Sequence, residues 1–69
     1  MKGKILLMKE LGKNWELAWL DGSAIQTFSG EKEIIQFTTT YMGALPRGAF
    51  SEVRIIYQNG SWRCFAKTF

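Results

Sequence analysis

The chain has 69 residues, a net charge of +3, one cysteine and no histidine. One cysteine cannot form an internal disulfide, and without histidine it can supply neither a structural zinc site nor a Ser-His-Asp or Cys-His catalytic arrangement. No apolar run approaches the length of a membrane span and the N-terminus lacks a signal-peptide pattern, so we expect a cytoplasmic protein without membrane association. At this length we expect a single domain, residues 1–69, that is marginally stable on its own.

The first part of the chain reads as three short strands. We predict strands over residues 3–10 (GKILLMKE), 15–20 (WELAWL) and 24–28 (AIQTF). The stretch LGKN at 11–14 supplies a turn, and Asp21-Gly22 is typical of a tight hairpin turn. Three strands joined by short turns predict an antiparallel meander.

A change of period after residue 28 indicates one helix. Ser29 is a suitable N-cap, and acidic residues follow it in the first turn, where the helix dipole favours negative charge. We predict a helix of about ten to thirteen residues, with Gly43 as its stop and Leu45-Pro46 beyond it. Its buried face is predicted to hold the apolar and small residues at helical spacing: Ile34, Phe37, Thr38, Tyr41 and Leu45.

Residues 51–69 are predicted to form a second hairpin around Asn59-Gly60, with a two-residue type I′ turn. In that register, residues whose numbers sum to 119 face each other. The inner face then pairs Tyr57 with Trp62, Ile55 with Cys64, and Val53 with Ala66. The outer face pairs Ile56 with Arg63, Arg54 with Phe65, and Glu52 with Lys67.

The same construction applied to Asp21-Gly22 leaves neither face of the meander clearly polar. It pairs Trp19 with Ala24, Leu17 with Gln26, and Trp15 with Phe28; the other face pairs Leu20 with Ser23, Ala18 with Ile25, and Glu16 with Thr27. The predicted fold is therefore α+β, a single small domain of order β-β-β-α-β-β. Its antiparallel sheet carries one helix packed on one face.

One helix covers one side of a small sheet, so the apolar surplus on the first three strands predicts a surface for a protein partner or a second copy of the chain. A small protein of this kind is typical of adaptors, inhibitors or accessory proteins, including those of phages and mobile elements. The candidate protein-binding residues are Leu6, Met8, Trp15, Leu17 and Trp19.

The alternative is a nucleic-acid-binding module. Residues 1–45 contain five lysines and five acids, whereas residues 46–69 contain four basic residues and one acid, so the whole charge excess lies on the C-terminal hairpin. In the predicted register its outer face interleaves basic and aromatic side chains, a composition that neutralises phosphates and stacks unpaired bases. The candidate residues are Arg54, Arg63, Phe65 and Lys67.

Enzymatic activity is not expected. Asp21 belongs to a turn, Glu31 and Glu33 belong to the helix start, and Glu52 has a cross-strand partner, so no acid pair stands out as a general acid and base. Cys64 is predicted to face the core as an inert thiol. We predict no catalytic residue, no metal site and no cofactor.

Overall fold

The computed structural model describes residues 4–68, which form one small α+β domain of five strands and one helix. The elements are β1 (Lys4–Leu11), β2 (Asn14–Trp19), β3 (Ala24–Phe28), α1 (Glu31–Ala44), β4 (Phe50–Ile56) and β5 (Trp62–Lys67). Their order confirms the predicted β-β-β-α-β-β arrangement. Gly3 and Phe69, the outermost residues of the predicted strands, lie outside the described range.

The sheet is mixed, with strand order β3-β2-β1-β4-β5. β1 pairs with β2 in antiparallel fashion and with β4 in parallel fashion, while both hairpins are antiparallel. The prediction of a purely antiparallel sheet is wrong at this one ladder. The reason is that α1 crosses back over the sheet and returns the chain beside β1, and such a crossover produces parallel neighbours.

The helix differs from its predicted bounds at both ends. Its N-cap is Gly30 rather than Ser29, and the acidic Glu31 and Glu33 occupy the first turn as predicted. The helix continues through Gly43 to Ala44 and stops where Leu45, the residue before Pro46, takes an extended conformation. The proline therefore ends the helix, and the glycine is one of its interior residues.

Both hairpin turns have the same geometry, which differs from the predicted two-residue type. Tyr57 donates to the Ser61 carbonyl and accepts from the Gly60 amide, as Trp19 does with Ser23 and Gly22. Only glycines have positive φ among the described residues, and Gly60 has a φ of 94°. Each loop is thus a type I turn closed by a left-handed glycine. Asp21 and Asn59 accept the amides of Ser23 and Ser61 at 2.9 Å.

This turn moves the pairing beside each loop by one residue. Ile56 lies opposite Trp62, Ile55 opposite Arg63, and Arg54 opposite Cys64. A bulge between Val53 and Arg54 then restores the predicted register, so the pairs Val53–Ala66 and Glu52–Lys67 are confirmed.

In the first hairpin, the predicted pairs Trp15–Phe28, Glu16–Thr27 and Leu17–Gln26 are confirmed. Next to the turn the prediction is wrong, because Ala24 lies opposite Ala18 rather than Trp19. A bulge between Leu17 and Ala18 accounts for the difference.

The core lies between α1 and one face of the sheet. Its buried members come from every element except the two edge strands, and they are Leu6, Met8, Trp15, Leu17, Ile34, Val53 and Ile55. Ile25 and Phe65, on the two edge strands, also pack against this core. The closest contacts of α1 are with β2 and β3, so the helix lies over that half of the sheet.

Candidate binding surface on the open face of the sheet

The helix leaves the second face of the sheet uncovered. Residues directly opposite each other across a ladder share a face, so the register identifies this open face completely. It comprises Ile5, Leu7, Lys9, Leu11, Asn14, Glu16, Ala18, Leu20, Ala24, Thr27, Glu52, Arg54, Ile56, Trp62, Cys64 and Lys67.

The large hydrophobic side chains that are exposed in the described part of the chain all lie on this face. They are Leu11, Leu20 and Trp62, which are 51%, 57% and 53% exposed. Leu11 follows the open-face alternation of β1, Leu20 lies beside Ile5, and Trp62 is opposite Ile56. Scattered exposed hydrophobics are ordinary, but a single sheet face that collects them all indicates a contact surface.

Apolar side chains cross the open face diagonally. Leu20 and Ile5 lie at the start of β1, and Leu7 lies at the centre and is only 6% exposed. Ile56 and Trp62 lie at the far corner, where β4 meets β5. These five residues are called the apolar strip.

One end of the apolar strip has a hollow that suits an apolar side chain. Lys4, Ile5, Leu20 and Asp21 line a shallow pocket of about 330 Å³. At its edge Lys4 Nζ and Asp21 Oδ2 are 3.9 Å apart, and the Ser23 amide, which donates to Asp21, lowers the pKa of that carboxyl. An apolar hollow with a charged rim is the usual form of an anchor site at a protein interface.

The charged side chains of the open face pair with one another on both sides of the strip. Lys9 Nζ lies 3.4 Å from Glu16 Oε1 on one side. On the other, Arg54 donates to Glu52 through Nε at 2.8 Å and Nη2 at 3.2 Å. Hydrogen bonding from Arg54 lowers the pKa of Glu52, and the same bonds raise the pKa of Arg54. Two ion pairs thus flank the strip, and Lys67, opposite Glu52 on the edge strand, adds one further positive charge to this face.

Arg54 also covers one face of the exposed Trp62 ring, with the guanidinium carbon 4.4 Å from the ring centroid. Cys64 lies beside this pair and is exposed, so the prediction that Trp62 and Cys64 face the core is wrong. The shifted hairpin register is the physical reason, because a slip of one residue exchanges the two faces of a strand.

The structure places the predicted protein-binding residues beneath the helix. Leu6, Met8 and Leu17 are fully buried, and Trp15 is 6% exposed. Trp19 is half-buried, packs against the core, and has its ring 6.5 Å from that of Tyr41. These five residues lie on one face, and that face is the one the helix occupies. The side of the same strands that the helix leaves uncovered is the opposite one.

The predicted nucleic-acid-binding residues do not share a face. Arg54 and Lys67 lie on the open face beside Glu52. Arg63 lies opposite the core residue Ile55, and Phe65 packs against the core. The predicted interleaving of basic and aromatic side chains is thus divided between two sides of the hairpin.

The predicted binding residues did not include Leu11, Leu20 and Trp62. Leu11 was assigned to a turn, Leu20 to the end of a hairpin strand and Trp62 to the core face. The signal that identifies Leu11 and Leu20 is alternation along the strand, since both follow Ile5, Leu7, Glu16 and Ala18 onto the face opposite the core. The face of Trp62 depends on the type of turn, and Asn59-Gly60 is compatible with either a two-residue or a three-residue loop.

A larger hollow lies on the helix side, between the end of α1 and β4. It measures about 650 Å³ and is lined by Met42, Leu45, Pro46, Arg47, Gly48, Phe50 and Thr68. All of its lining residues are at least partly exposed. Among residues 4–68, no three Asp, Glu or Cys side chains form a group that could hold a metal ion.

No protein-family model matches this sequence, and comparisons with curated proteins and with solved structures find no match either. Within the described residues, no helix has the length and apolar character needed to cross a bilayer.

Proposed function

We propose that this is a small non-enzymatic binding protein whose open sheet face docks a different protein. The observation that carries the proposal is the collection of Leu11, Leu20 and Trp62 on that face, opposite the helix. A two-layer domain with an apolar second sheet face supports a role in assembly, because a neighbouring surface would remove that apolar area from water.

The size of the open face fits a modest interface. Five strands about 4.8 Å apart and about six residues long span roughly 500 Å², so two matched surfaces would bury roughly 1,000 Å² in total. That is the lower end for specific complexes. The partner's surface is expected to be apolar along the strip and polar at its rim.

A second copy of the chain fits this face poorly. If two open faces stack about a two-fold axis along the apolar strip, Lys9 of one copy lies over Arg54 of the other. Glu16 likewise lies over Glu52. Like charges in register oppose association, so the charge pattern favours a different protein.

The test compares the wild type with the double variant Leu20→Gln/Trp62→Gln. Both side chains are more than half exposed, so we expect the fold to survive. Proteins retained by the wild type from a lysate of the source cells, and lost with the double variant, would be purified. Their binding would then be measured by calorimetry, where we expect at least about a tenfold loss of affinity.

Lys13→Gln, in the exposed turn between β1 and β2, is the matched control and should bind like the wild type. Equal affinity of the wild type and the double variant for every purified candidate would refute the proposal. A parallel titration with labelled oligonucleotides at low salt tests the alternative. Tight, salt-sensitive binding there would show that nucleic acid is the ligand instead.

A further inference from the structure

The charges of this protein are distributed very unevenly over its elements. Residues 22–30 and 34–46 contain no Lys, Arg, Asp or Glu. The first range contains β3 and the second contains α1 after its first turn. Both belong to the same side of the molecule, because Phe28 and Phe37 pack with ring centroids 5.0 Å apart.

We name the exposed residues of β3 and of α1 after its first turn the uncharged flank. They are Ala24, Gln26 and Thr27 on β3, and Gln36, Thr39, Thr40, Gly43 and Ala44 on α1. The hydroxyls of Thr39 and Thr40 donate to the carbonyls of Ile35 and Gln36, so they need no outside partner. The flank therefore demands no charge pairing from the surface that meets it, and two of its hydroxyls are already bonded within the helix.

β3 contributes an open backbone edge to this flank. It is an outermost strand, so part of its amides and carbonyls point away from β2. Edge strands are usually protected by charged residues, especially lysine, or by proline. The opposite edge, β5, carries Arg63 and Lys67, whereas β3 carries no charge and no proline. Of the two edges, β3 is the one suited to strand addition.

We propose that a second copy of this chain binds the uncharged flank, with the two β3 strands antiparallel about a two-fold axis normal to the sheet. The five-stranded sheets then join into one, and the two helices lie side by side above the joint because α1 lies over β2 and β3. A bulge beside Leu17 leaves Gln26–Phe28 as the regular part of β3, so the helices must supply part of the contact.

The distribution of charge favours a second copy of this chain over a strand of a different protein as the occupant of the flank. A surface that carries charge repels its own image unless the charges are matched, and the uncharged flank has none to match. Its two ends carry opposite net charge, because Glu31 and Glu33 outweigh Lys32 at the start of α1 and Arg47 follows its end. An antiparallel arrangement directs the acidic start of one helix toward the basic end of the other.

The first experiment is sedimentation from about 10 µM to about 500 µM, with Gln26→Lys as the variant. The wild type should dimerise, and Gln26→Lys should weaken association at least about tenfold, because it adds one positive charge to each strand within the part of β3 that forms the joint. Cys64→Lys adds the same charge to the opposite edge strand and should dimerise like the wild type. A wild type that stays monomeric throughout, or a dimer that Gln26→Lys does not weaken, overturns the proposal.

A mixing experiment removes misfolding as an explanation. Gln26→Lys and Gln26→Glu should each associate weakly alone and form a heterodimer when mixed, because their charges are then opposite. Failure of the mixture to associate would also count against the β3 joint.

Amide exchange gives an independent measurement. Protection of Ala24–Phe28 should rise with protein concentration while that of Trp62–Lys67 stays constant, and the reverse pattern contradicts the proposal. Ala24 and Thr27 belong to both the open face and the flank, but the two proposals are tested at separate positions, since Gln26 lies outside the open face and Leu20 and Trp62 lie outside the flank.

Discussion

Thr38 is buried as its helical spacing predicts, yet the hydrogen-bonding capacity of its hydroxyl is not used. It is fully buried on the core side of α1, and its hydroxyl oxygen has no hydrogen-bond partner. Its neighbours Thr39 and Thr40, on the exposed side, donate to helix carbonyls. A buried hydroxyl without a partner loses its hydration and gains nothing in return.

We therefore expect Thr38→Val to raise the free energy of unfolding by about 1 kcal/mol, because valine has the same shape without the unsatisfied oxygen. Urea unfolding followed by circular dichroism measures this change. Thr40→Val is the control, since that hydroxyl is exposed and bonded, and its effect should stay within about 0.5 kcal/mol. A destabilised Thr38→Val protein would indicate that the hydroxyl has a partner in solution.

The helical spacing in the sequence predicted the burial of Ile34 and Thr38, and the structure confirms both. Which residues of a helix are buried follows from their spacing along the chain, because a period of about 3.6 residues fixes the face of each one. A residue beside a turn is different, because its face depends on how many residues the loop takes up. Trp62 and Cys64 were assigned to the wrong face for that reason.

At the scale of elements, the two hairpins have the same turn and the same type of irregularity after it. Asp21-Gly22-Ser23 and Asn59-Gly60-Ser61 form equivalent turns, and a bulge follows in each hairpin. An Asn-Gly or Asp-Gly pair is compatible with either a two-residue or a three-residue loop, so the sequence predicts a hairpin and leaves its register open. Beyond the bulges the predicted register returns. The core face of β4 was predicted correctly because alternation along β4 itself places Val53 and Ile55 on one side, whatever the register of β5.

Substitutions at two glycines test the assigned geometry of the hairpin turn and the assigned end of the helix. Gly60 has a φ of 94°, which a side chain disfavours, so Gly60→Ala should lower the free energy of unfolding by about 1 kcal/mol. Gly43 lies inside α1, and a Cβ there meets nothing within 4 Å. Gly43→Ala should therefore raise the free energy of unfolding by about 0.5–1 kcal/mol. Thermal unfolding of dilute protein measures both, and equal signs for the two variants would contradict this assignment.

At the scale of the molecule, the sequence predicts the two hairpins but not how they pair with each other in the sheet. Turn residues identify which neighbouring strands pair, whereas the β1–β4 ladder joins residues about 45 positions apart along the chain, and no local pattern encodes it. The sequence predicted an apolar excess on the meander, and the structure assigns part of it to the core and part to the open face. Deciding between these required knowing which face the helix covers.

The strand order predicts a gradient of protection against amide exchange. β1 is paired on both sides, and Leu6 and Met8 are fully buried, so the amides of β1 should exchange more slowly than those of the two edge strands. Hydrogen exchange followed by NMR in dilute solution measures this gradient. Comparable rates in β1 and β5 would show that the centre of the sheet is not the most stable region.

The parallel ladder between β1 and β4 also sets an order of events during synthesis. β1, β2 and β3 emerge first and can form their meander, but the second side of β1 has no strand to pair with until β4 has been made. Until then the nascent chain carries the strand Lys4–Leu11, which contains Leu6, Leu7 and Met8 of the mature interior, with one backbone edge open. The core strand of the mature domain is thus an exposed edge in the growing chain, and rapid completion of β4 protects it from pairing with other chains.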